Sequence, residues 1–227
     1  MGELFNAIAS FFSIIFSYIY TVVPNFGVTI ILFTILVKLV IFPLNNQQIR
    51  SARRMQLLQP ELKKIQQKHK DNKEKQNEEV MKFMQENKVN PFAGCVPLLI
   101  QFPILLGVFT MLKNIESFGI TELAHFNPYI FPFLAGTSFD WGNLLLIDSF
   151  YILPALAGIT TYLYSRLSMT DPNQKMFLYL MPVMLFYFAL KLPSGLVLYW
   201  VINNFLSVGQ HYYLNSRDKK EAEVVSK

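Results

Sequence analysis

The sequence predicts an all-α polytopic membrane protein with five core transmembrane helices, an outer interfacial helix and a cytoplasmic helical hairpin. Three observations predict it. Of the 227 residues, 52% are hydrophobic and only 15% charged, where a soluble domain carries about a quarter charged residues. The apolar residues cluster in runs near the ~20 residues that a helix needs to cross a bilayer. The basic residues lie between those runs and gather on one side of them.

Within residues 1–23, positions 4–23 form an uncharged apolar stretch interrupted at helical spacing. Asn6, Ser10, Ser13, Ser17 and Thr21 recur every three or four residues, and Glu3 continues the stripe. One polar face on an apolar helix suits an element lying along a membrane surface rather than a sixth span. No Lys or Arg precedes this stretch, so the positive start of a signal peptide is missing. No cysteine precedes the first span, so no lipid anchor through one is expected.

Five spans follow, at about 26–44, 92–112, 150–166, 175–190 and 193–213. The third and fourth are short, which suits a small tilt or a thinned bilayer. Pro97, Pro103, Pro154 and Pro182 fall inside spans, where neighbouring helices or water can satisfy the freed carbonyls. The 24–213 region forms the five-helix core, and 214–227 is a basic cytoplasmic tail. Segment 45–91 carries eleven Lys/Arg, Arg166 and Lys175 flank the next turn on that side, and the tail has four. On the other side only Lys113 and Lys191 touch the edges. The positive-inside rule therefore puts the N-terminus outside, and the C-terminus and segment 45–91 inside.

Within 45–91, Met55, Leu58, Leu62 and Ile65 share one helical face, and Val80, Met81, Phe83 and Met84 supply a shorter patch. Two antiparallel amphipathic helices joined near Asp71-Asn72 account for this. Pro60 should kink or restart the first. The arm is either a solvated hairpin resting on anionic headgroups or a docking arm for a ribosome, nascent chain or translocation partner.

One cysteine, Cys95, leaves no disulfide framework. His69, His125 and His211 lie too far apart for metal-ligand spacing, so no metal or other cofactor is expected. The sequence has no GxxxxGK[ST], HExxH or GxSxG string, so no enzyme activity on nucleotides or by hydrolysis is expected. The short tail gives no case for specific nucleic-acid binding.

Lys38 is the residue out of place, in TIILFTILVKLVIFPL (29–44). It could snorkel to the headgroups, but Cα–Cβ bonds tilt toward a helix N-terminus, here away from the cytoplasm. A charge at mid-membrane costs about 2.5–3.5 kcal/mol on the lenient insertion scale and normally faces a cavity or a partner. Thr34 lies one turn earlier on the same face. Gln101, Asn203 and Asn204 are further polar groups at membrane depth, each with interhelical hydrogen bonding as its ordinary role. No Asp or Glu lies in any span. These facts favour a hydrated pocket around Lys38.

The same stretches carry a family likeness. TIILFTILVKLVIFPL, MQLLQPELKKIQ, NKVNPFAGCVPLLIQFPILLGVFTML, FYILPALAGIT, MPVMLFYF and LPSGLVLYWVINN occur in this order from about residue 25 to 213. The set resembles the YidC-type membrane protein insertases, in the short form without the large extracytoplasmic domain of Gram-negative members. The resemblance implies a bacterial plasma-membrane protein that inserts and helps fold nascent membrane proteins. The ribosome and the Sec translocon are candidate partners, and no small-molecule substrate is expected. It also implies a hydrophilic groove open to the cytoplasm and lipid, with a basic residue that attracts the client's extracellular segment. Lys38 matches that residue, Thr34 lines its face, and Gln101 and Trp200 are further groove candidates alongside Asn203. Most members carry Arg there; Lys keeps the charge and loses the bidentate fork. Phe102, Met111 and the aromatic run at 198–200 are candidates for an apolar slide, with core packing the more ordinary role of each. Rival classes are a small anion transporter, against which no internal repeat is visible, and a non-catalytic assembly scaffold.

Overall fold

The computed structural model describes residues 2–87, 96–122, 143–168 and 175–225. Most of the expected 114–149 loop, the 169–174 turn, Cys95 and His125 lie outside the described residues. The described residues form eight α-helices and one 3-10 turn at Ile120–Glu122. In order the helices are α1 (Gly2–Val22), α2 (Phe26–Val40), α3 (Phe42–Lys68), α4 (Lys73–Glu86), α5 (Val96–Lys113), α6 (Ile152–Ser168), α7 (Lys175–Ala189) and α8 (Ser194–Val225).

Each expected span contains a helix; α2, α5, α6 and α7 have 15–18 residues each, whereas α8 has 32. At 1.5 Å per residue, the 15 residues of α2 cover about 22 Å. No single helix among the described residues is long and apolar enough by itself to cross a membrane. The pair α2 and α3, bent by 65°, is so by length and composition. The expected span 26–44 therefore does not run straight. It breaks at Ile41, and α3 restarts with Pro43 in its first turn. Proline fits a first turn because it needs no donor there. Asn25 starts α2 by accepting from the Val28 amide at 3.0 Å, a side-chain cap.

The direction of each helix can be read from its contacts. Ile30, Lys38 and Phe42 meet Gly195, Asn203/Ser207 and Gln210 in turn, so α2 and α8 run parallel. Thr161 and Ser168 meet Asn204 and His211, so α6 also runs parallel to α8. Gly158 and Tyr162 meet Pro182 and Tyr179, so α7 runs antiparallel to α6. Helices α2, α6 and α8 thus share one direction, and α7 runs against it.

The α1 helix packs antiparallel on α2 through edge-to-face rings. Phe12 meets Phe33 at 5.3 Å between centroids, Phe16 meets Phe26 at 5.3 Å and Phe33 at 5.9 Å, and Tyr20 meets Phe26 at 6.5 Å. Such pairs add about 0.5–1.5 kcal/mol beyond area burial. A Cβ at Gly107 would lie 2.5 Å from Ile8 Cγ2, so only glycine lets α5 approach α1 this closely. Glu3, Asn6, Ser10 and Thr21 of the expected polar stripe are exposed, while Ser13 is buried. Its hydroxyl turns back to the Ser10 carbonyl at 2.8 Å. A third face of α1, with Phe11, Ile14, Tyr18 and Val22, is exposed and apolar.

The arm forms as expected, with the turn between α3 and α4 at 69–72. Asn72 caps α4 by accepting from the Lys75 amide at 3.0 Å. Gln76 donates across the hairpin to the Gln66 carbonyl at 2.6 Å. Pro60 does not restart the helix: α3 is continuous through it. The residue is exposed, so solvent can satisfy the carbonyl its ring frees. At the other end of the chain, α8 continues through the basic tail to Val225, because no glycine or proline follows Tyr213 to stop it.

Candidate functional site

The elbow at Ile41 moves Lys38. A straight span to residue 44 would put six residues beyond it, whereas α2 ends at Val40, two residues on. Lys38 thus sits in the last turn of its helix, at the negative end of the helix dipole, where a cation is favoured. Its side chain does not snorkel. Nζ donates to Ser207 Oγ at 2.6 Å and to Asn203 Oδ1 at 3.4 Å, both on α8. Both acceptors are neutral, and one N–H of the ammonium has no protein partner among the described residues.

Polar contacts continue inward from that point. Asn203 donates to Gln101 Oε1 at 3.3 Å, and Gln101 donates to the Tyr199 hydroxyl at 3.0 Å. Ser207 donates to the Asn203 carbonyl at 2.7 Å. On α8, Tyr199, Asn203, Ser207 and Gln210 follow one another by four, four and three residues, a single helical face. From Tyr199 to Gln210 this track extends about 16 Å along the axis. Beyond Tyr199 it stops against buried Phe26, Ile30, Met111, Leu196 and Leu198. The polar face is therefore open at the elbow end and closed at the other.

At the elbow lies a small, half-open recess with a cavity volume of about 30 Å³. Lys38 comes from α2, Asn45 and Gln48 from α3, and Ser168 from α6. The α8 helix closes it with Ser207, Gln210 and His211. Gln210 also ties the elbow down, donating to Asn46 Oδ1 at 2.6 Å and to the Phe42 carbonyl at 3.4 Å. His211 is buried, with its ring edge-on to Tyr164 at 6.2 Å.

The residues expected at a groove separate into three groups. Lys38, Asn203 and Gln101 are joined in one hydrogen-bonded relay. Thr34 is buried and donates to the Ile30 carbonyl of its own helix at 2.6 Å, touching no member of the relay through that hydroxyl. Trp200 points elsewhere: its indole donates to Thr161 Oγ1 at 3.1 Å, beside Asn204, which donates to the same oxygen at 2.8 Å. That second cluster fastens α6 to α8. Of the expected slide, Phe102 is exposed, while Met111, Leu198 and Tyr199 are buried in the core. Ser207, Gln210 and His211 were not among the expected residues. The signal for the first two was present, since they follow Asn203 at i+4 and i+7.

Fold and site together define an all-helical bundle with a one-sided polar recess at the elbow end of three parallel helices. Comparison with known proteins gives the family of this bundle. Residues 18–221 match the 60Kd inner membrane protein family. The chain is 36% identical over 216 residues to a membrane protein insertase YidC of Fusobacterium nucleatum, covering 94% of this chain and 98% of that protein. It is 38% identical to membrane protein insertase YidC 2 of Listeria innocua, covering 89% of this chain and 69% of that one. It is 39% identical to a YidC of Nitratidesulfovibrio vulgaris, where 87% of this chain matches but only 36% of the relative's length is spanned. A crystal structure of an active YidC insertase with its first transmembrane domain resolved aligns with a TM-score of 0.68 at 28% identity. It covers 93% of this chain and 46% of that one. The chain belongs to the YidC-type insertase family, and a bacterial membrane is its location.

Proposed function

We propose that the chain inserts newly made membrane proteins by admitting a client's hydrophilic segment into the recess at Lys38. The observation that carries this reading is the ammonium's position. It lies at the inner end of a half-open recess, with one N–H unpartnered among the described residues and no acidic residue in any of the five expected spans. A stable structural role would pair such a charge; a transient anionic or polar visitor needs it unpaired.

The positive-inside count sets the frame. The elbow, the α3–α4 arm and the end of α8 face the cytoplasm, and α1 lies at the outer surface with its exposed apolar face in lipid. The arm meets the client first, from a ribosome or from the Sec translocon. The client's short segment then enters beside Lys38, from which the polar face of α8 continues inward through Asn203 toward Gln101. Helices of 15–18 residues leave only a thin apolar layer still to cross. Burial of the client's apolar side chains in lipid drives the transfer, with Phe102 and the exposed faces of α6 and α7 alongside. Trp200 and Thr34 act as supports of the track rather than as its surface.

Replacing Lys38 with Ala, Arg or Glu in cells depleted of their own insertase tests this. Insertion of a short-tailed reporter should survive Arg, weaken with Ala and fail with Glu. If all three insert the reporter normally, the reading is wrong and a scaffold role gains. A change in solute flux with insertion untouched would point to an anion transporter.

A further inference from the structure

Asn45 and Gln48 occupy the mouth of the recess on the first turns of α3. Gln48 is only 9% exposed, and the amide nitrogens of both side chains are buried without a hydrogen-bond partner among the described residues. Buried amide donors are rarely left unsatisfied, and each such group calls for an explanation. Several acceptors around the recess already take other donors. Asn46 Oδ1 and the Phe42 carbonyl take the Gln210 amide, Asn203 Oδ1 and Ser207 Oγ take Lys38, and the Asn203 carbonyl takes Ser207. The recess thus presents donors that are unused among the described residues: one N–H of Lys38 and the amides of Asn45 and Gln48. Its complement is a guest rich in acceptor oxygens.

An extended polypeptide is such a guest. Its carbonyls on one side repeat every second residue, roughly 6.6 Å apart. Side chains at i and i+3 on a helix are about 5–6 Å apart at Cβ, so Asn45 and Gln48 can reach two successive carbonyls. We propose that Asn45 and Gln48 are client-binding residues whose amide N–H groups hold the backbone carbonyls of the entering segment. Lys38 then reads the segment's charge, and the two amides read its backbone whatever its sequence. The idea rests on the insertase reading and extends it to the class of group recognised.

The test uses the full chain in proteoliposomes and a single-span client with a short N-terminal tail, in a neutral version and a version with one Asp. Insertion rate is read by protease protection. Asn45→Leu with Gln48→Met should slow both clients equally, by roughly tenfold. Lys38→Ala should slow the acidic client more than the neutral one. Gln48→Glu keeps the side chain's size and places a carboxylate at the mouth, so it should slow the acidic client more than the neutral one. A general folding defect would move both clients alike under Gln48→Glu and would overturn the proposal. So would wild-type rates in the double variant, or loss confined to the acidic client there. If Lys38→Ala impairs insertion while the double variant does not, this inference fails alone. If neither does, the insertase site itself is misplaced.

Discussion

Replacing Gln210 with leucine removes the tie between the elbow and α8 at nearly constant volume. Wild-type Gln210 donates to Asn46 Oδ1 at 2.6 Å and to the Phe42 carbonyl at 3.4 Å. The longer contact is near the limit of a hydrogen bond and adds little. Loss of the shorter one strands the Asn46 oxygen in a part-buried site, which costs about 1–3 kcal/mol. At 1.4 kcal/mol per factor of ten, the elbow should open about 5- to 150-fold more often. Amide hydrogen exchange on the full chain in nanodiscs reads this directly. Peptides covering 41–50 should exchange faster by that factor, while peptides from α6 keep their wild-type rates. Unchanged exchange at the elbow would refute the reasoning, and so would uniform acceleration across α2, α6 and α8, which would make Gln210 an ordinary core residue.

Three further substitutions probe the packing that positions the site. Gly107→Ala puts a methyl 2.5 Å from Ile8 Cγ2 and should destabilise the α1–α5 contact by about 1–3 kcal/mol. Adding Ile8→Ala should recover most of the loss in unfolding midpoint, and no recovery would mean that the two helices are not in contact there. Thr161→Val takes away the acceptor shared by Trp200 and Asn204 and should destabilise by about 2–4 kcal/mol. Thr161→Ser should restore the midpoint, since it returns the oxygen. Asn72→Ala removes the cap of α4 at about 1 kcal/mol, seen as faster exchange at 73–76 with no change in the bundle.

Much of the architecture was legible because membrane spans and amphipathic helices are written as periodic patterns. The five apolar segments, the hairpin and its turn near Asn72 follow from composition and spacing alone. The elbow was not read, although Pro43 signalled it. A continuous apolar run hides a break when proline falls at a helix start rather than its interior. At the site, Lys38, Gln101 and Asn203 stood out as polar groups among apolar neighbours, and the structure joins them. Trp200 and Tyr199 show the limit. They differ by one residue, hence by about 100° around α8, and only the packing of α6 and α5 decides which one meets Gln101. Ser207 and Gln210 were passed over because serine and glutamine near a span's end look like ordinary exit residues. Their register with Asn203 was the available clue.

On the proposed mechanism the recess is wet from the elbow side and sealed from the other. In a Cys95→Ser background, Lys38→Cys and Ile30→Cys can be challenged in oriented vesicles with a membrane-impermeant thiol reagent from either side. Rapid labelling is expected at position 38 from the elbow side only, and none at position 30 from either side. An unreactive position 38, or one labelled equally from both faces, would contradict this mechanism.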